Sequence, residues 1–162
     1  MSEALIQKVR KLLEPTFDEQ AWYRDVIALD KSEAVPILAG IVRRESESLR
    51  ARQQAILILG LMGDESAIEL LLDMLSAPEA GLRAHSAQSL GRFKSLSGGG
   101  FERLLTALKD DDHFVRERAA KALAQLQRPE ALTALQQMRA SDPVASNREM
   151  AAEAMKTIAG TE

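Results

Sequence analysis

The chain has no cysteine. That excludes a disulfide framework, a thiolate zinc site and a cysteine nucleophile together. Aromatic residues make up only 4% of its 162 residues, and runs of the strand formers Val, Ile, Thr and Tyr are scarce. Positive charge is not in excess: 21 Lys and Arg stand against 24 Asp and Glu, for a formal net charge of −3. Each phosphate contact needs a cation, so nucleic acid is a disfavoured partner unless a local basic patch exists. No apolar run reaches the length of a membrane span, and Met1–Arg10 is amphipathic and charged, without a secretory hydrophobic core. The expectation is a cytoplasmic chain with no membrane association. Also absent are G-x-S-x-G, G-x-x-x-x-G-K and G-x-G-x-x-G, the loops that expose a nucleophile or cradle phosphates.

What is present is a core and a repeat. Hydrophobic residues make up 46%, enough for a folded domain, and Ala, Leu, Glu, Arg and Gln, all strong helix formers, dominate. Arg52, Arg83, Arg116 and Arg148 open four similar segments, spaced by 31, 33 and 32 residues. In the first three, a small residue follows four places later (Ile56 being larger), Leu follows seven later, and Gly or Ala eight later; Ala152 and Met155 complete the fourth. Each of the first three segments is followed by a second apolar stretch. Ile68, Leu71, Leu72 and Leu75 recur at i, i+3, i+4 and i+7, one face of a helix. Phe101–Leu108, Ala131–Met138 and, upstream, Ala34–Val42 follow the same template. Gly63 supplies a left-handed C-cap and Asp64 an N-cap between two helices. The pattern predicts a helix near 3–13, pairs near 18–29 and 33–43, 48–62 and 65–76, 80–93 and 99–109, 113–126 and 128–140, and a last helix near 146–159. Ser95–Gly100 reads as a longer, flexible linker.

The run from Ala51 to Arg83 resembles the short HEAT-like repeat of the phycobilisome lyases, whose pattern is roughly V-R-x-x-A-A-x-A-L-G-x-I-G-D followed by x-x-A-V-x-x-L-I-x-L-L. Here it reads Ala51-Arg52, Leu59-Gly60, Gly63-Asp64, Ala67-Ile68, Leu71-Leu72 and Leu75. The resemblance implies an all-α, right-handed α-solenoid of about four to five HEAT-like helix pairs over residues 1–162. Residues 32–158 form the regular repeats and 1–31 an atypical N-terminal cap. It also implies that the recurrent arginines hydrogen-bond to carboxylates and carbonyls in the turns between repeats, rather than gripping a partner.

Several residue sets invite a chemical reading. Asp110-Asp111-Asp112 lacks the alternate spacing, glycine and closing glutamate of a calcium loop and is better read as a capping turn. His85 and His113 are followed by Ser86 and Phe114, so the His-Glu dipeptides of iron-binding HEAT-repeat hydroxylases are missing, and no metal or other cofactor is expected. Trp22, Tyr23 and Asp25 could be drawn as the aromatic and carboxylate set of HEAT-like DNA glycosylases. Successive helical residues diverge by about 100°, however, and packing is the simpler role. Leu57 and Leu61 stand where the other copies carry Gln88 and Arg92, or Lys121 and Gln125. They form an apolar spot to be covered either by the N-terminal segment or by a partner or second copy.

The surface left for binding is the outward row of second helices. Its polar positions are Glu69 and Asp73, Glu102 and Thr106 with Arg103 beside them, and Thr133 and Gln137; Pro36 and Gly40 take the matching places upstream. The expected function is a non-enzymatic protein–protein interaction scaffold or adaptor with a protein or peptide partner. The alternatives are a bilin lyase subunit or phycobiliprotein chaperone, suggested by the resemblance, and a nucleic-acid binder of the HEAT-like glycosylase type.

Overall fold

Short polar side chains decide where the helices begin. Asp18, Asp30, Ser48, Asp64, Ser97 and Asp112 each accept a hydrogen bond from a backbone N–H two or three residues ahead, filling the N-cap role. The computed structural model describes residues 3–15 and 18–160; of the segment 1–31, residues 1, 2, 16 and 17 lie outside that description. Among the described residues there are ten α-helices and no strand: α1 (Glu3–Leu12), α2 (Glu19–Ile27), α3 (Lys31–Arg43), α4 (Leu49–Met62), α5 (Ile68–Met74), α6 (Ala80–Leu90), α7 (Gly98–Ala107), α8 (His113–Leu126), α9 (Leu132–Ser141) and α10 (Ala145–Ala159). Short 3₁₀ turns at Glu65–Ala67 and Pro129–Ala131 lead into α5 and α9. Gly63, at φ 61°, closes α4 in the left-handed region, as its position in the repeat predicts.

The helices form two layers. In the first, α4, α6, α8 and α10 lie side by side, with α2 against α4. In the second, α3, α5, α7 and α9 pack on α4, α6, α8 and α10 respectively, and α1 packs on α3. Each second-layer helix therefore seats mainly on the first-layer helix that follows it in sequence, to which it is joined by residues 44–48, 75–79, 108–112 or 142–144. Leu38, Ile56, Leu59, Leu71, Leu82, Leu90, Leu104, Leu123 and Leu135 lie fully buried between the layers.

The glycine of the repeat sets how closely the first-layer helices approach. A Cβ on Gly60 would stand 2.6 Å from Ser89 Cβ, and one on Gly91 would stand 2.6 Å from Ala122 Cα. Ser89 uses the approach to donate its hydroxyl to the Ile56 carbonyl at 3.0 Å.

The recurrent arginines tie the layers together. Arg83 donates to both oxygens of Asp110 (2.8 and 2.9 Å) and to the carbonyls of Ala77 and Pro78. Arg116 repeats this one unit later, to Asp142 (2.7 and 3.0 Å) and to the carbonyls of Asp110 and Asp111. Arg52 reaches Val42 O and Glu79, and Arg148 reaches Asp142 O. The hydrogen bonds from Arg116 hold the buried Asp142 carboxyl below its ordinary pKa despite the opposing cost of burial. Burial also opposes ionisation of Asp110, but Arg83 and the Asp112 N–H together hold its pKa down. The acidic triplet is thus a joint: Asp110 receives Arg83, the Asp111 carbonyl receives Arg116, and Asp112 caps α8.

One expectation is corrected. Gly98, Gly99 and Gly100 are not a linker but the first turn of α7, begun by Ser97, whose hydroxyl accepts from Gly100 N at 3.2 Å. Gly100 is buried, and a Cβ there would meet Leu96 Cδ1 at 2.7 Å. The extra length of this repeat lies in residues 91–97, where Phe93 and Leu96 turn into the core.

Candidate functional site

The arginine ladder is consumed by the fold, so a site has to be sought on the two outer faces. On the second-layer face, Glu69 and Asp73 of α5, Glu102 and Thr106 of α7, and Thr133 and Gln137 of α9 are all exposed. Their side chains do little for the fold: Thr106 donates to Glu102 O within its own turn, and Asp73 lies 4.0 Å from Arg103. Arg103 is the exception, half-buried and donating to the Leu72 carbonyl at 2.8 Å, which links α7 to α5. A crevice of about 280 Å³ opens beside it, between Leu75, Thr106 and Asp110. Upstream, Pro36 and Gly40 leave a notch of about 230 Å³ lined also by Ile6 and Ile37.

The first-layer face holds a larger feature. Arg50, Gln54, Leu57 and Leu61 follow one another at helical spacing along α4 and form the floor of a groove of about 1030 Å³. One wall is α2, with Trp22, Tyr23 and Arg24; the other is α6, with Gln88, and Arg92 just beyond its C-terminus. The indole N–H of Trp22 donates to Leu12 O at 2.9 Å, which fixes the ring against α1. Tyr23 stays 48% exposed. Leu57 and Leu61 are half-buried, and Leu61 packs on the core while Leu57 does not. The N-terminal segment thus walls the spot but leaves it open. Asp25 is exposed and does not line the groove, so the three residues drawn as a glycosylase set do not converge.

The arginines around the leucines were the part of this site that sequence reasoning did not assemble. Arg50 and Gln54 share the helical stripe of Leu57 and Leu61, so that half was available from spacing; the contribution of α2 was not. Elsewhere, His85 Nδ1 lies 2.6 Å from Gly81 O, and His113 stacks against Phe114 with ring centroids 3.9 Å apart. Among the described residues no three of His, Cys, Asp and Glu cluster to hold a metal, and no helix is long and apolar enough to cross a membrane.

Two layers of helices, joined by arginine clamps and offering two long faces, define an α-solenoid repeat protein. The sequence profile of HEAT repeats matches residues 3–91 and 75–156. The chain belongs to the HEAT-repeat family. No curated protein matches it in sequence. Among solved structures it is similar to a chain in the complex of CpcE and CpcF of phycocyanin lyase from Nostoc sp. PCC7120, with a TM-score of 0.74 at 20% identity over 92% of this chain and 98% of that one. It is also similar to human deoxyhypusine hydroxylase, with a TM-score of 0.64 at 29% identity; the match covers 78% of this chain but only 43% of that enzyme. An engineered protein matches over 98% of this chain, with a TM-score of 0.61 at 19% identity.

Proposed function

We propose that the chain is a non-enzymatic scaffold that binds a protein or peptide through the polar row of its second-layer helices. The observation that carries this reading is the set Glu69, Asp73, Glu102, Thr133 and Gln137: exposed, regularly spaced over three repeats, and tied to a neighbouring repeat only through the 4.0 Å approach of Asp73 to Arg103. A stable interface needs about 800 Å² per partner, more than one helix pair supplies and within the reach of three. The acidic tilt at α5 and the start of α7 suits a partner with basic character. The test is charge reversal at Glu69, Asp73 and Glu102 together, against one partner identified from the native host by pull-down and mass spectrometry. Association should slow and lose salt dependence, with the helical circular dichroism unchanged. Unaltered affinity in a folded triple variant rejects the row as the binding face.

A second reading is a bilin lyase subunit or phycobiliprotein chaperone working with a partner chain. The near end-to-end match to a chain of the CpcE–CpcF complex favours it. Co-expression with a bilin and a phycocyanin subunit tests it: tetrapyrrole absorbance co-purifying with the acceptor or the chain supports this reading, and its absence leaves the scaffold reading alone.

A further inference from the structure

The groove over α4 has a shape that narrows its occupant. Its floor is a single helical stripe, from Arg50 to Leu61, about 17 Å long at 1.5 Å per residue. Both walls are helices of the same layer, α2 and α6. A trough of this kind, one helix deep and flanked by two others, is the complement of another helix: a helix laid in it completes a close-packed stack and buries Leu57, which packs on nothing in the core.

The rim specifies the chemistry of that helix. Arg24, Arg50 and Arg92 are exposed and take part in none of the ion pairs of the described residues. By contrast, the recurrent arginines Arg83 and Arg116 are taken up by a carboxylate and two carbonyls each. Three unspent guanidinium groups around an apolar floor, in a chain of net charge −3, form a local positive rim. Glu14 and Glu19 also line the groove, on the α2 side. They oppose a polyphosphate, which presents negative charge on every side, and leave the α6 side and the first turns of α4 for carboxylates.

We propose that this groove docks an amphipathic helix of a partner protein, with apolar anchors spaced one turn apart on Leu57 and Leu61 and carboxylates facing Arg50 and Arg92. The inference rests on the scaffold reading only in that the ligand is a protein; the surface is a different one, so the two fail separately.

The test uses the full chain and a defined probe: a stapled, fluorescein-labelled peptide of about four helical turns, with Leu on one face and Glu on the flanks. Controls are its Lys-flanked counterpart and a 20-base-pair DNA duplex. Trp22, the sole tryptophan, sits on the groove wall and reports occupancy by its emission. The Glu-flanked peptide should bind about tenfold or more tighter than the Lys-flanked one, with a Trp22 emission shift on saturation. Arg50→Glu with Arg92→Glu, both exposed and outside the ion pairs of the described residues, should reverse that preference with the helical circular dichroism unchanged. Leu57→Glu should abolish binding. Equal binding of the two peptides, retention of the preference in the Arg50→Glu, Arg92→Glu variant, or tighter binding of the DNA duplex overturns the proposal. So does a concentration-dependent dimer that Leu57→Glu dissolves, which would make a second copy the occupant. If charge reversal on the second-layer row abolishes capture of the native partner while the peptide fails to bind, this inference falls and the scaffold reading stands.

Discussion

Replacing Arg116 with Ala is the sharpest probe of what holds the array together. The Arg116 side chain is 10% exposed and makes four hydrogen bonds, two to the Asp142 carboxylate and two to carbonyls of the Asp110–Asp112 turn. Asp142 is 7% exposed and keeps only the Val144 N–H at 2.9 Å and a long contact from Asn147 when the arginine goes. Removing one member of a buried pair costs about 3–5 kcal/mol, because the other charge stays behind desolvated. The two surviving donors offset part of that, so a loss of about 3 kcal/mol is expected. Arg83→Ala breaks the same geometry where Asp110 and Arg83 are more open to water, with side chains 14% and 17% exposed, so it should cost less, about 2 kcal/mol. Arg148→Ala removes a single bond to the Asp142 carbonyl and should cost about 1 kcal/mol. Urea titration followed by circular dichroism at 222 nm reads all three. In a double-mutant cycle, Arg116→Ala with Asp142→Ala should recover a large part of the single-mutant loss. If Arg116→Ala lies within the error of wild type, or costs less than Arg148→Ala, the clamp argument is refuted.

Two further outcomes follow from close approach and from protonation. Gly40→Ala, in the interior of α3 with nothing within 4 Å of the new Cβ, should raise stability by up to about 1 kcal/mol, whereas Gly91→Ala, 2.6 Å from Ala122 Cα, should lower it by about 1–3 kcal/mol through overpacking; thermal melts of the two should move in opposite directions. Asp142 and Asp110 have folded pKa values below their unfolded ones, so their contribution is complete above the unfolded carboxylate value of about 4 and is lost as pH falls through the folded values; the melting temperature should hold from neutral pH to about 5 and drop below 4, with a smaller drop in Asp142→Asn.

The helix order was legible because the sequence repeats its punctuation. Arg52, Arg83, Arg116 and Arg148 fix the register, and Gly63-Asp64 marks a turn by chemistry that has few other uses. The three glycines were misread for the opposite reason: their poor intrinsic helix propensity is overridden by the Ser97 cap and by the tight space beside Leu96 and Leu72. Register could have corrected this, since Gly100 aligns with Ala67, which is buried at the entry to α5. The groove was half visible. Leu57 and Leu61 broke the polar pattern of their position, and that anomaly pointed to the right helix. Its walls come from α2 and α6, brought beside α4 by packing that no local spacing encodes. The polar row was read from helical period alone; Arg103 shows the limit of that method, because its bond to Leu72 O depends on how far apart α5 and α7 stand.

The clamps are not equal along the array, and that gives the molecule a direction. Arg116 and Asp142 form a bidentate, buried joint, with Arg148 fastened to the same residue. Arg52, at the other side, offers Glu79 one bond at 3.1 Å, and Glu79 is 39% exposed in its side chain. In a nearest-neighbour array each joint opens at its own cost, so the single-bond Arg52–Glu79 joint is expected to open before the bidentate Arg116–Asp142 joint, an order that native-state hydrogen exchange in α4 and α8 would read. The groove runs along α4, the helix that carries Arg52, with neither Arg52 nor Glu79 in its lining. A helix seated between α2 and α6 would bridge both neighbours of α4, and its apparent affinity would be scaled by the fraction of molecules in which those helices are closed.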